Sequence, residues 1–160
     1  MLQSLSVKNF ILIDELEMEF EKGLCVITGE TGAGKSILLD AILFSLGNKS
    51  SDNVIKNGCD YCEVTTIFTL DSNLPPLLEQ FNIEYDTELI IKRIQRSKKQ
   101  KKFLINDQIV TQNTIQQIAN YLFELHGQNN HTSLLSPSHH INILDDYGNL
   151  SHLRAELSKH

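Results

Sequence analysis

The sequence predicts an α/β fold built around a strand, a glycine-rich loop and a helix that follow one another directly. Residues 24–28 form a short apolar run with the composition of a buried strand. Residues 29–34 contain three glycines, and residues 35–46 carry apolar side chains at the spacing of a buried helix. Because strand, loop and helix in this order are typical of phosphate-binding α/β proteins, we predict a P-loop fold.

The segments on either side of this unit predict two further strands and a helix end. Residues 2–7 begin an extended segment, and residues 11–20 alternate apolar with acidic side chains, as in a half-exposed strand. A turn is expected at residues 21–23. Beyond the predicted helix, Gly47 occupies the position where a helix commonly ends.

The second half of the sequence predicts a β-rich region followed by helices. The expected elements are a strand at residues 62–70, a short helix ending at Phe81, strands at 88–94 and 102–110, a turn at Asn106 and Asp107, and a helix at 111–125. A further helix is expected to begin with Ser136 as its cap and Pro137 at its first position.

Length and composition favour a single soluble domain. The chain has 160 residues, 41% of them hydrophobic and 21% charged, and a net charge of −6. A chain with this charge is not built as a whole to bind nucleic acid or anionic lipid. We see no apolar run of about 18 residues and no signal peptide, and three cysteines fit a reducing compartment, so we expect a cytoplasmic protein without membrane contacts.

A phosphate-binding motif carries the main functional prediction. The pattern GxxxxGK[ST] is matched by Gly29, Glu30, Thr31, Gly32, Ala33, Gly34, Lys35 and Ser36. The glycines let backbone N–H groups face phosphate oxygens, and the helix that starts near Gly34 adds the positive end of its dipole. Lys35 supplies a cation to the β- and γ-phosphates, and Ser36 offers a hydroxyl to Mg²⁺. A purely structural glycine turn would not require Lys35 and Ser36, so we predict Mg·ATP binding.

A second polar motif spans residues 126–131, at the end of an apolar stretch. Its glutamine, Gln128, is a candidate to reach Mg²⁺ and the attacking water, which makes Gln128 and Lys35 the candidate catalytic residues. Polar loops are common, so this motif alone is a weak signal.

A basic cluster lies between two predicted strands, with no acidic residue inside it. Its members are Lys92, Arg93, Arg96, Lys98, Lys99, Lys101 and Lys102. The cluster fits either a patch that contacts a phosphate backbone or the solvated tip of a hairpin, and the sequence leaves both interpretations open.

The cysteines and histidines offer a metal-binding alternative that we do not favour. Cys59 and Cys62 have ligand-pair spacing, as do His126 and His131, but the two pairs lie far apart in the sequence. We therefore expect no zinc site. Cys25, inside the predicted central strand, is expected in the core.

Several motifs together resemble the N-terminal part of the RecN family, bacterial ATPases of DNA double-strand-break repair that are related to structural-maintenance-of-chromosomes proteins. The resemblance runs through about Tyr147 and rests on residues 5–10, 27–36, 39–41 and 103–106 and on His126, Gly127, Gln128, His131, Leu134 and Leu135. The phosphate-binding motif alone would indicate only a P-loop protein, whereas the combination points to RecN.

This resemblance implies a fold and partners. The fold would be the N-terminal lobe of an ABC-type head, a mixed sheet with an antiparallel β-rich subdomain over residues 1–135. Residues 136–160 would start a coiled-coil arm. Ser36 and Gln128 would ligate Mg²⁺, and Gln128 would sense the γ-phosphate. The implied partners are DNA ends and a C-terminal head lobe or the second head of a homodimer, in the bacterial cytoplasm at the nucleoid.

The sequence also departs from that family. Complete members carry a signature motif, a Walker B aspartate and a catalytic glutamate in a C-terminal lobe, and none of these is found here. Asn48 and Lys49 stand where the family usually has arginine. We therefore expect ATPase activity only with a C-terminal lobe. The alternatives are another ABC-type module, such as a transporter nucleotide-binding subunit or another chromosome-maintenance ATPase, and a small kinase, for which we find no acceptor site or lid.

Overall fold

The computed structural model describes residues 1–29, 34–49, 53–70, 75–96, 100–122 and 148. The chain divides into two compact units, Met1–Phe123 and Glu124–His160. All the elements described below belong to the first unit. The helix predicted from Ser136 and the boundary between residues 135 and 136 lie outside the described residues, so that division stays a prediction.

Most of the predicted elements are confirmed. In chain order the described elements are β1 (Leu2–Phe10), β2 (Ile13–Glu19), α1 (Lys35–Ser45), β3 (Cys62–Thr69), α2 (Pro75–Gln80), β4 (Glu88–Gln95), β5 (Lys101–Ile105), β6 (Gln108–Val110) and α3 (Gln112–Leu122). The strands form one six-stranded sheet in the order β2-β1-β3-β4-β5-β6, and every neighbouring pair is antiparallel.

One face of the sheet is buried beneath α1, because alternate residues of its strands are mostly apolar. In β3 every second residue, from Cys62 to Phe68, is buried, and β4 shows the same alternation. The rings of Phe10 in β1 and Phe44 in α1 lie 5.0 Å apart, centroid to centroid. The buried hydroxyls of Ser45 and Thr66 lie 3.0 Å apart, which links α1 to β3 through polar groups as well.

The predicted turn between β5 and β6 is confirmed, and its sequence explains its shape. Asn106 and Asp107 both have positive φ, 46° and 63°, which suits the tight turn of a two-residue hairpin. The Asn106 side chain accepts a hydrogen bond from the N–H of Ile90 at 2.8 Å and donates one to the carbonyl of Glu84 at 2.7 Å. The turn therefore also fixes the start of β4.

The predicted central strand at residues 24–28 is wrong. These residues form no strand, and Leu24 and Val26 are 92% and 68% exposed. Cys25, expected in the core, is also exposed. Apolar composition indicated burial, but a strand also needs a neighbour to pair with, and the described sheet ends at β2 and β6 without this segment.

The described part of the sheet is consequently antiparallel throughout rather than mixed. Within the same ranges, no helix is both long enough and apolar enough to cross a membrane.

Candidate nucleotide-binding site

The helix α1 begins in the manner that a phosphate-binding loop requires. Gly34, its first flanking residue, has φ of 92°, in the left-handed region that favours glycine. A Cβ atom added at Gly34 would meet no described atom within 4 Å, so the backbone is open on that side. Among the described residues no side chain caps this end, and the first turn holds no acidic residue. The positive end of the helix dipole is therefore not offset by a carboxylate of that turn.

Lys35 contacts the first residue of the predicted phosphate-binding motif. Its amino group donates a hydrogen bond to the carbonyl oxygen of Gly29, the first residue of the motif. Ser36 follows in α1 and is exposed. The structure thus brings together Gly29, Gly34, Lys35 and Ser36. The other predicted site residues lie outside the described residues: Glu30, Thr31, Gly32, Ala33 and Gln128.

The opposite end of α1 is closed by a glycine, as predicted. Gly47 has φ of 83°, and its N–H donates to the carbonyl of Phe44 at 3.2 Å. The N–H of Asn48 donates to the carbonyl of Leu43 at 3.1 Å. These two bonds form a Schellman motif, which satisfies carbonyl groups that the helix leaves without partners.

Two side chains of α3 also bind this end of α1. The side-chain amides of Gln112 and Gln116 both donate to the carbonyl oxygen of Gly47, at 2.7 and 2.8 Å. The fit is close, because a Cβ atom at Gly47 would lie 3.2 Å from the Cγ of Gln116. The sequence motifs assigned these glutamines no role, although their four-residue spacing places them on one helix face.

Arg93 completes the set of contacts at the end of α1. It is fully buried, and its Nη1 donates to the carbonyl oxygens of Phe44 at 2.8 Å and Asn48 at 2.9 Å. Its guanidinium lies 3.9 Å from the ring centroid of Phe44 and 4.9 Å from that of Phe103. Burial lowers the pKa of Arg93 to about 10, so the group stays protonated at neutral pH.

The placement of Arg93 in a surface cluster is therefore wrong. The phase of β4 could have revealed it, because Leu89 and Ile91 are buried and Arg93 lies on the same face of the strand. Lys92 lies on the opposite face and is half-buried, whereas Arg96, Lys101 and Lys102 are exposed. Lys98 and Lys99 lie outside the described residues.

Cys59 and Cys62, which have the spacing of a metal-ligand pair, differ in exposure. Cys62 is fully buried, and burial raises the pKa of its thiol to about 11, although the nearby Arg93 acts in the opposite direction. Cys59 is partly exposed. Among the residues that the structure describes, no three His, Cys, Asp or Glu side chains are grouped so that they could hold a metal ion.

A cavity of about 270 Å³ lies beside the C-terminal half of α1. Its lining residues are Phe10, Ile11, Asp40, Leu43, Phe44, Asn48, Lys49 and Val54. None of them belongs to the phosphate-binding motif, so we do not assign the phosphates to this cavity.

The chain matches known proteins over nearly its whole length. A sequence profile described as an AAA domain matches residues 4–157. The chain belongs to the AAA domain family. This AAA domain is 61% identical over 159 residues to DNA repair protein RecN of Rickettsia conorii, a match that covers 99% of the chain and 29% of the relative. It is 37% identical over 150 residues to DNA repair protein RecN of Bacillus subtilis, covering 92% and 26%.

These relatives confirm the resemblance to RecN that the motifs predicted. The AAA domain described here spans less than a third of the length of either relative. Membership of a P-loop ATPase family implies that the domain uses a nucleotide, typically with Mg²⁺.

Solved structures confirm the predicted fold class. An Smc head domain of Pyrococcus furiosus, solved with an extended coiled coil, matches this AAA domain with a TM-score of 0.72 at 23% identity. That match covers 99% of the chain and 44% of the Smc head chain. A chain from a study of ATP-driven dimerization of SMC ATPases matches with a TM-score of 0.66 at 24% identity, covering 91% of this chain and 98% of that one. At these identities the likeness concerns the fold.

Proposed function

We propose that this chain is the Mg·ATP-binding part of a RecN-like protein that acts in DNA double-strand-break repair and recombination. The observation that carries the proposal is the hydrogen bond from Lys35 to Gly29 beside the left-handed Gly34, at the open end of α1. This arrangement fits a nucleotide, since it combines a cation with a helix N-terminus that no described side chain caps and with open space beside Gly34. The names of the relatives supply the link to DNA repair.

The residues of the motif have distinct roles in this proposal. Residues 29–34 face the phosphates with their backbone N–H groups, Lys35 pairs with the phosphate oxygens, and Ser36 and Gln128 hold Mg²⁺. When bound, Mg²⁺ neutralises part of the phosphate charge. Gln128 in addition senses the γ-phosphate.

Hydrolysis and partners belong to a larger assembly in this proposal. Phosphoryl transfer requires a positioned water, a general base and metal ligands, and only Gln128 is a candidate for any of these beyond the phosphate-binding motif. We therefore propose that the chain alone does not turn over ATP. A C-terminal head lobe or a second head completes the site, and the complete protein binds DNA ends at the nucleoid in the cytoplasm.

Nucleotide binding can be tested by titration with a fluorescent ATP analogue in the presence of Mg²⁺. The chain should bind the analogue weakly, and Lys35→Ala should remove most of the binding because it deletes the only side-chain cation of the motif. Lys22→Ala, which removes an exposed lysine outside the motif, is the matched control and should bind as the unaltered chain does. Equal affinity for the unaltered chain and Lys35→Ala would refute the proposal.

Turnover can be tested separately by measuring phosphate release at steady state. The chain alone should release phosphate only at background rate, and co-expression with a C-terminal RecN-like half should yield a soluble complex with ATPase activity. Release by the chain alone at the rate of a complete ATPase, abolished by Lys35→Ala, would contradict the second part of the proposal.

A further inference from the structure

The two ends of α1 are held in contrasting ways. Its N-terminal end, which carries the predicted phosphate-binding residues, is capped by no side chain of the described residues. At its C-terminal end, three described side chains from other elements donate hydrogen bonds to backbone carbonyl oxygens. We call these three side chains, Arg93, Gln112 and Gln116, the α1 anchor.

The α1 anchor matches the electrostatics of a helix end. The last carbonyl groups of a helix lack intrahelical donors and carry partial negative charge, so a cation near them is favourable. Arg93 offers a guanidinium to two carbonyl oxygens, those of Phe44 and Asn48. Burying a guanidinium is costly unless its donors find acceptors, and the helix end provides acceptors in a fixed place.

The rings around Arg93 restrict its orientation. Phe44 and Phe103 lie within 5 Å of the guanidinium, at 3.9 and 4.9 Å from their centroids. A planar guanidinium that stacks on rings has little freedom to rotate, and this orientation directs its N–H groups to the helix end. The position of α1 on the sheet is therefore tied to β4.

The glutamines tie the same helix end to α3. Both donate to the carbonyl of Gly47, which is itself packed against α3. α3 ends at Leu122, a few residues before Gln128 in the sequence. The α1 anchor thus joins the helix that begins at Lys35 to the helix that precedes the second predicted motif.

We propose that Arg93, supported by Gln112 and Gln116, is a positioning residue that holds α1 where its N-terminal end can bind nucleotide phosphates. The inference rests on the proposed function. α1 has 11 residues, about 16 Å at 1.5 Å per residue, and a helix this short moves as a rigid rod. A shift at its anchored end therefore displaces Gly34, Lys35 and Ser36, and binding sites lose affinity when their groups move by about 0.5 Å.

The central test compares Arg93→Met with Lys92→Met in the full chain. Methionine keeps apolar contact with the rings but cannot bind the carbonyl oxygens, while Lys92 is the neighbouring cation on the opposite sheet face. We expect Arg93→Met to raise the Kd for a fluorescent Mg·ATP analogue about 5- to 10-fold and Lys92→Met to leave it unchanged. Arg93→Lys keeps the charge and should recover part of the affinity.

A purely structural role would give a different result. It would lower the melting temperature of Arg93→Met but leave the Kd of the folded protein unchanged when measured well below that temperature. An unchanged Kd for folded Arg93→Met would therefore overturn the inference. If Arg93→Met does not fold, the Gln112→Ala/Gln116→Ala double variant decides instead, with an expected rise in Kd of about threefold. An unchanged Kd in that variant would overturn the inference as well.

Hydrogen exchange separates failure of this inference from failure of the proposed function. Without any nucleotide, the amides from residue 38 to residue 41, beginning with the Leu38 N–H that donates to the carbonyl of Gly34, should exchange faster in the anchor variants than in the unaltered chain and Lys92→Met. If the unaltered chain and Lys35→Ala bind the analogue equally, the proposed function fails, but this exchange still reports whether the α1 anchor controls the distant helix end. Unchanged exchange at residues 38–41 would overturn the inference on its own.

Discussion

Lys92 and Arg93 are neighbours in β4 and lie on opposite faces of the sheet, Arg93 fully buried and Lys92 half-exposed. The seven basic residues of this region therefore do not form one surface cluster. Arg93 binds the end of α1, and any phosphate backbone must be contacted by the remaining residues.

Since Arg93 is buried, a prediction about DNA binding concerns the other basic residues of this region. If the chain contacts DNA, replacing Lys98, Lys99 and Lys101 with glutamate should weaken binding equally on all sequences, because these residues would contact phosphates. The slope of log affinity against log salt should fall by roughly one for each phosphate that is no longer neutralised. Fluorescence anisotropy with labelled duplexes at several salt concentrations measures both the affinity and the slope. Lys22→Glu serves as the control for a single charge reversal outside the cluster.

Two outcomes would contradict a DNA-binding patch here. Binding that the three substitutions leave unchanged would move the interaction elsewhere. An absence of binding at low salt would leave the exposed lysines as the solvated tip of a hairpin.

Gly47 allows a stability prediction with an internal control. Gly47 and Gly58 both have positive φ, 83° and 86°, so alanine at either position costs about 1–2 kcal/mol of backbone strain. Only at Gly47 would the new Cβ also press on α3, 3.2 Å from the Gln116 Cγ. Gly47→Ala should therefore reduce the free energy of unfolding by about 1–3 kcal/mol more than Gly58→Ala. Urea unfolding measures the difference, and equal losses would show that α3 does not press on Gly47.

The secondary structure could largely be predicted because its signals are local. The alternation in β3, the helical spacing of α1 and the Asn106–Asp107 turn each arise from neighbouring residues, and all three are confirmed. The segment at residues 24–28 failed because its apolar composition carries no information about a pairing partner. Cys25 was misplaced for the same reason.

The candidate site could be predicted only in its local part. Lys35 and Gly29 lie within one motif, so their contact follows from the motif. The contacts of Gln112 and Gln116 with Gly47 span 65 and 69 residues, and local sequence periodicity carries no signal for contacts at such separations. The burial of Arg93 could be predicted in part. The alternation of β4 indicates that Arg93 lies on the buried face of the sheet, but it does not indicate that the side chain binds the end of α1.

Cys62 predicts a pH dependence of stability. Its thiol pKa is raised from an ordinary value of 9.0 to about 11 in the folded protein, because burial disfavours the thiolate. Between these values the unfolded chain loses the thiol proton and the folded chain keeps it, so stability is fully present below pH 9 and falls as the pH rises toward 11. The loss should reach about 2 kcal/mol.

Urea unfolding at pH 8, 9, 10 and 11 measures this loss. Cys62→Ala should lose less of its free energy of unfolding between pH 9 and pH 11, because it has no thiol to ionise. The comparison uses the slope of the free energy of unfolding against pH, since the substitution also changes the absolute stability. If the free energy of unfolding falls with pH equally steeply in both proteins, Cys62 is not the source of the pH dependence.

The exposed apolar segment predicts self-association of the isolated chain. Leu24, Val26 and Ile27 are all exposed although they are large and apolar, and exposed apolar patches favour association. Leu24→Ser with Val26→Ser should shift the chain toward monomer in sedimentation experiments. Co-expression with a C-terminal RecN-like half should have the same effect on the unaltered chain. A monomer with a cooperative melt that is indifferent to both changes would show that the segment needs no partner.

The two outer strands of the described sheet, β2 and β6, are poorly suited to pairing with a strand of another molecule. β2 carries four carboxylates along seven residues, at Asp14, Glu15, Glu17 and Glu19, and β6 has only three residues. An outer strand offers unpaired N–H and C=O groups to any incoming strand, and charge or shortness blocks that pairing. Growth of a cross-β ribbon from either edge is therefore disfavoured. We therefore expect molecules that associate through Leu24 and Val26 to do so as folded chains, and not by extending the native sheet.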